Sequence, residues 1–149
     1  MDQVKLSFSS NPRNVNYACI SIKNFLSSKN IPNAISNEIE LSVAEAVNNI
    51  IRHAYKGNTS ELIEVEVKKN NNYVEIVFTD SGIPRENLEK PKLNFDPNDI
   101  ENLPEGGFGL YLIDTIMDEN DYYSQSGKNI LRLKKIIDTI NRNANQIKL

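Results

Sequence analysis

Three short groups of residues in this chain have the types and spacing to do chemistry on a phosphorylated ligand. The first is Glu45-Ala-Val-Asn-Asn49, inside an apolar pattern of helical period. Positions four apart on a helix are surface neighbours, so Glu45 and Asn49 stand side by side at the border of the apolar stripe. A partly desolvated carboxylate there can take a proton from a hydroxyl or a water. An Asn amide oxygen one turn on can ligate Mg2+, a hard cation that keeps waters and phosphate oxygens among its ligands. The second group, Asp80-Ser-Gly-Ile-Pro84, stands where a strand pattern ends. Its carboxylate can accept a hydrogen bond from an amino group such as that of adenine, and Gly82 lets a ligand approach the backbone. The third, Gly106-Gly-Phe-Gly109, opens a further helical pattern. Backbone N–H groups at Gly106, Gly107 and Gly109 can face a concavity, where a helix N-terminus adds positive potential for phosphate.

Each group also has a plain reading: a polar pair on a helix edge, a tight turn, a hinge between loop and helix. Three of the chain's six glycines fall in the last group, more than a chain reversal requires. His53, the single histidine, lies one turn after Asn49 and reads as a packed, hydrogen-bonded side chain. A lone cysteine, Cys19, and a lone histidine cannot make a zinc site, and no Ser or Cys stands in a triad-like pattern.

The elements that must position these groups follow from periodicity. Val4, Leu6 and Phe8 alternate with polar residues as in a half-buried strand. Asn11-Pro12 is a helix start, and Val15, Ala18, Ile22, Phe25 and Leu26 continue it until Asn30-Ile31-Pro32. A second helix spans roughly 33–56 on the stripe Ile35, Ile39, Val43, Ala46, Val47, Ile50 and Ala54. Two alternating runs around Ile63–Val67 and Val74–Phe78 flank Asn70-Asn-Asn72 and predict an antiparallel hairpin. The polar, proline-punctuated stretch 85–105 reads as a lid or binding loop. A short helix carries Leu110, Ile113, Ile116 and Met117, and a final hairpin turns near Ser124–Gly127. The segment from Lys134, with Ile136, Ile140, Ala144 and Ile147, reads as an amphipathic helical tail. The expected division is one domain over 1–134 and a tail over 135–149. This order predicts an α+β sandwich, helices on one face of a mostly antiparallel sheet.

Composition narrows the classes. The 149 residues suit a single core, and Lys+Arg 17 against Asp+Glu 20 gives a net charge of −3, which leans away from nucleic-acid binding. One cysteine allows no internal disulfide. Neither a leader pattern nor an apolar run of membrane-spanning length is present. A soluble, cytoplasmic protein is expected.

With these motifs in hand, the chain resembles the GHKL superfamily of ATP-binding domains, and within it the anti-sigma factor serine/threonine kinases. Glu45-Ala-Val-Asn-Asn-Ile-Ile-Arg-His-Ala-Tyr55 is similar to that family's N-box and Asp80–Pro84 to its first glycine box. Gly106–Ile113 is similar to its second glycine box, with Met117–Glu119 and Gly127–Ile130 as its continuation. The resemblance implies a two-layer ATP-binding sandwich of the Bergerat type. Glu45 would be the general base and Asn49 the Mg2+ ligand. Asp80 with Gly82 would read adenine, and Gly106, Gly107 and Gly109 would hold the phosphates of ATP under the 85–105 lid. It further implies γ-phosphate transfer to a serine or threonine of an anti-sigma-factor antagonist, sequestration of a sigma factor, and a homodimer. Glu45 in place of the Asn more usual in histidine kinases, and no phosphoacceptor helix, argue against a sensor histidine kinase. A second reading keeps the pocket without the chemistry: an ATP-dependent module that captures a partner with no phosphotransfer.

Overall fold

The computed structural model describes residues 1–85 and 108–137. Five strands form one antiparallel sheet: β1 (Asp2–Ser9), β2 (Leu62–Lys69), β3 (Tyr73–Asp80), β4 (Glu119–Gln125) and β5 (Lys128–Ile136). Their order is β1-β2-β3-β5-β4, so β5 returns between β3 and the edge strand β4. Alternation decides the faces. Phe8, Ile63, Val65, Val67, Val74, Ile76, Phe78 and Leu133 are buried on one side, while charged side chains such as Lys5, Glu66 and Arg132 stand on the other. Ion pairs there, Arg132 with Glu75 and Asp121 among them, are exposed enough to be worth at most about 1 kcal/mol each. Apolar burial on the other face is the larger contribution.

Helices α1 (Arg13–Ser28) and α2 (Asn33–Asn49) cover that apolar face. The expected Asn11-Pro12 start is present: Asn11 Oδ1 accepts the Arg13 N–H at 3.0 Å, and Pro12 already has helical dihedrals. α1 ends where Asn30 takes a left-handed φ of 62°. The Ile31 N–H then bonds back to the Leu26 carbonyl at 3.1 Å, a C-terminal cap of the Schellman kind. Cys19 is buried between the helices, and burial pushes its thiol up to about 11, which keeps it protonated and inert at neutral pH.

Helix α3 (Phe108–Ile116) packs on α2. Lys135, 6% exposed, ties its end down: the ammonium donates to the Ile116 carbonyl at 2.6 Å and pairs with Glu38 of α2 at 2.9 Å. The closing hairpin turns at Ser126-Gly127, both with positive φ, 54° and 79°. That is the primed geometry matching strand twist.

Three expectations need correction. The second helix does not run in α geometry to residue 56; after Asn49 it widens into a π-helical turn, Ile50–Ala54. Lys134–Ile136 belong to β5 and not to a helical tail, because the alternation of Leu131, Leu133 and Lys135 continues past the expected boundary. His53 is exposed on the π-turn and not packed. Tail residues 138–149 and lid residues 86–105 lie outside the described residues.

Candidate functional site

The site is assembled on the C-terminal half of α2. Glu45 is half-buried and Asn49 is 3% exposed. The Asn49 Nδ2 has no hydrogen-bond partner among the described residues. Burying an amide donor unpaired costs about 1–3 kcal/mol. The buried Ser36 and Ser42 hydroxyls share this condition, but Asn49 lines a recess. Its other walls are Ile50, Ala54, Asp80, Ile83, Arg85, Tyr122 and Leu131.

The π-turn holds the acidic turn in place. The Ala54 carbonyl accepts the Ile83 N–H at 2.8 Å. One residue on, the Tyr55 hydroxyl donates to the Leu62 carbonyl at 2.5 Å and accepts the Ser81 N–H at 2.8 Å. Burial raises the Tyr55 phenol above its ordinary value, which keeps the donor proton in place. Gly82 is required by this contact, because a methyl group there would lie 2.6 Å from the Ala54 carbonyl carbon. Backbone cannot yield as a side-chain end would. We expect Gly82→Ala to lose about 1–3 kcal/mol of stability in chemical denaturation; a variant as stable as the parent would refute the contact.

Asp80, 5% exposed at the end of β3, is fixed by a network that sequence reading missed. Its Oδ1 accepts the Gly82 N–H at 2.9 Å and the Asn129 Nδ2 at 2.7 Å. Asn129 spends its second N–H on the Gly82 carbonyl at 2.9 Å, and its Oδ1 accepts the Ser124 hydroxyl at 2.7 Å. Register explains the grouping: Asp80 faces Asn129, which faces Ser124, across β3, β5 and β4. One row along the strands stand Phe78, Leu131 and Tyr122, of which Leu131 and Tyr122 line the recess. In the sequence Asn129 appears only within the Gly127–Ile130 resemblance, with no role attached, and its partner Asp80 is 49 positions away.

Cationic groups gather at the rim. The Arg85 N–H bonds the Tyr122 hydroxyl at 3.0 Å, and the guanidinium lies 5.8 Å from that ring's centre. Partial desolvation, then Arg52, Arg85 and Lys56, hold the His53 pKa below its ordinary value, so the imidazole is neutral at pH 7.

One turn back along α2 from Asn49, Glu45 meets Gly109 in the first turn of α3. A methyl on Gly109 would overlap Glu45 Oε2 and lie 3.7 Å from Asn49 Nδ2. Glycine therefore lets the two helices close on the carboxylate. Gly106 and Gly107 lie outside the described residues. Glu45, Asn49 and Gly109 thus form one end of the site, and Asp80 and Gly82 the other, with Asn49 facing both.

The donor set fits a nucleotide. Asp80 keeps Oδ2 without a partner among the described residues, an acceptor for an exocyclic amine. Asn49 offers an orphan amide which, turned about its last torsion, presents oxygen to a cation. Among the described residues no three carboxylate, His or Cys groups cluster to hold a metal by themselves. Magnesium commonly needs no such cage, because phosphate oxygens and waters complete its shell. No helix among the described residues is long and apolar enough to cross a membrane.

Known proteins share this fold. Residues 8–135 match the model of the histidine kinase-like ATPase domain. A serine-protein kinase RsbW of Listeria monocytogenes is 28% identical over 139 residues, covering 91% of this chain and 88% of its own. That of Oceanobacillus iheyensis is 28% identical over 141 residues, 92% of this chain and 89% of its own. Bacillus thuringiensis RsbW reaches 34% over 102 residues, 66% and 63% of the two chains. Among solved structures, the RsbU and RsbW domains of a Mycobacterium tuberculosis protein align with TM-score 0.65 at 13% identity. The alignment covers 91% of this chain and 33% of that one. The Pseudomonas aeruginosa SiaB–SiaC complex gives TM-score 0.53 at 18% identity, covering 89% of each chain. At such identities the structural likeness speaks for the fold alone. With the family model spanning almost all of the described domain, the chain belongs to the histidine kinase-like ATPase domain family.

Proposed function

We propose that this protein is an ATP-dependent protein-serine/threonine kinase of the anti-sigma type. It transfers the γ-phosphate of ATP to a serine or threonine of an antagonist protein and, as a homodimer, sequesters a sigma factor. The observation that carries the reading is the buried Asn49 amide, without a partner among the described residues, in one recess with Asp80 and one helical turn from the half-buried Glu45. The relatives named serine-protein kinase RsbW support the choice of protein hydroxyl as acceptor. Glu45 favours transfer over simple capture of a partner, since binding alone requires no base at that position.

The roles follow from placement. Asp80 Oδ2 accepts the exocyclic N–H of the base, and Leu131 and Tyr122 pack against its ring. Gly109 stands in the first turn of α3, near Glu45, and the phosphate role of Gly106 and Gly107 rests on the sequence motif alone. Asn49 is the residue that would hold Mg2+, which neutralises phosphate charge when bound. Glu45 removes the proton from the acceptor hydroxyl as its oxygen bonds the γ-phosphorus and the bond from that phosphorus to the β,γ-bridging oxygen breaks, releasing ADP. Positioning and charge stabilisation supply most of the rate in such transfers.

Calorimetric titration with ATP, with and without Mg2+, tests the pocket. We expect Mg2+-dependent binding that Asp80→Asn abolishes, since the new amide turns a donor toward the base's own donor. γ-labelled ATP then tests the chemistry on candidate antagonist domains. Label on a serine or threonine supports the kinase; tight binding to the unlabelled antagonist without transfer supports the capture module instead.

A further inference from the structure

The geometry points to Asn129 as the positioning residue that makes the recess select a 6-aminopurine, with Ser124 fixing the orientation of Asn129. This rests on the reading of the recess as a nucleotide-base site.

The argument is an accounting of donors and acceptors. An amide has two N–H donors and one carbonyl acceptor. Asn129, 2% exposed, uses both donors, one on Asp80 Oδ1 and one on the Gly82 carbonyl. Its oxygen takes the Ser124 hydroxyl. The Asp80 and Gly82 oxygens, which only accept, decide which way round the amide sits, and the Ser124 hydroxyl holds its oxygen in place: reversed, the carbonyl oxygen would face the Asp80 carboxylate. With its donors spent on protein atoms, Asn129 does not read the ligand itself; it acts through Asp80.

Its effect is to saturate one carboxylate oxygen and leave the other. Oδ1 carries two hydrogen bonds, from Gly82 and Asn129. The carboxylate cannot rotate without breaking both, so Oδ2 points to one place in the recess. An acceptor held in that way welcomes an amino group and repels a carbonyl oxygen. Such selection against a mispaired polar group is steeper than apolar contacts provide. Without Asn129 the carboxylate can turn, and a water can sit between it and a 6-oxopurine.

The test compares ATP with inosine triphosphate, which carries a carbonyl in place of the amine, on the wild-type protein, Asn129→Leu and Ser124→Ala. A circular-dichroism melt reports whether each variant is folded. We expect Asn129→Leu to weaken ATP about 10- to 100-fold, the range for a hydrogen bond to a charged group. Inosine triphosphate should change by less than about threefold, so that the affinity ratio collapses. Ser124→Ala should lower the ratio in the same direction by a smaller factor. A folded Asn129→Leu protein that keeps the wild-type ratio, or loses both nucleotides equally, overturns the inference while the site reading stands. Wild-type protein that binds neither nucleotide overturns the site reading, and the inference with it.

Discussion

Glu45→Gln is expected to lower phosphoryl transfer about 10²- to 10⁴-fold, the range for removal of a general base, with ATP affinity changed by less than about threefold. Two features separate the effects. Glu45 is not among the residues lining the base recess, whose carboxylate is Asp80. Glutamine also keeps the shape that meets Gly109 across the α2–α3 contact. The substitution removes the basic oxygen and little else. Single-turnover transfer of labelled phosphate to the antagonist, beside calorimetric ATP affinity, reads both quantities. Unchanged transfer would remove Glu45 from the chemistry, and a parallel loss of affinity would assign it to binding.

Asn49→Ala carries the second large effect, and its two parts have opposite sign. In the free protein the Asn49 Nδ2 is buried without a partner among the described residues, and its removal relieves a desolvation penalty of about 1–3 kcal/mol. The smaller alanine gives up some packing in return. The variant should therefore melt no lower than wild type, while Mg2+-dependent ATP binding falls at least about 10-fold. Loss of function with retained stability marks a group kept for its ligand at the expense of the fold. A variant that melts well below wild type would instead make Asn49 a structural residue.

Local pattern carried most of the fold. Both hairpins were legible because alternation and turn residues lie within a few positions of each other. The Asn11-Pro12 start and the α2 stripe were legible because a helix repeats its signal every turn. The π-turn after Asn49 was not, since a 3.6-residue template fits Ile50 and Ala54 equally well whether or not one residue is added to the turn. β5 was cut short at Lys134 because Ile136 satisfies either a strand or a helical period. Asn129 was invisible for a different reason: its meaning depends on β3 pairing with β5, a contact between distant segments that no local window contains. Glu45, Asn49, Asp80, Gly82 and Gly109 were each singled out by type and spacing as candidates, and the structure brings them to one region. The structure adds why Gly82 must lack a side chain, against the Ala54 backbone, and that Gly109 abuts the Glu45 carboxylate.

The widened turn at Ile50–Ala54 also sets a length. Glu45 and Ala54 stand nine positions apart on one continuous helical segment, a rise of about 13 Å. Ala54 anchors the turn that carries Asp80, and Glu45 marks the far end. On the proposed reading the helix works as a ruler laid beside an extended nucleoside triphosphate, base at one mark and terminal phosphate at the other. A diphosphate anchored at the same base mark falls one phosphate short of Glu45. Such a ligand would fill the selective end of the site and leave the reactive end vacant, so the spent nucleotide would compete for the pocket without presenting anything for the carboxylate to act beside.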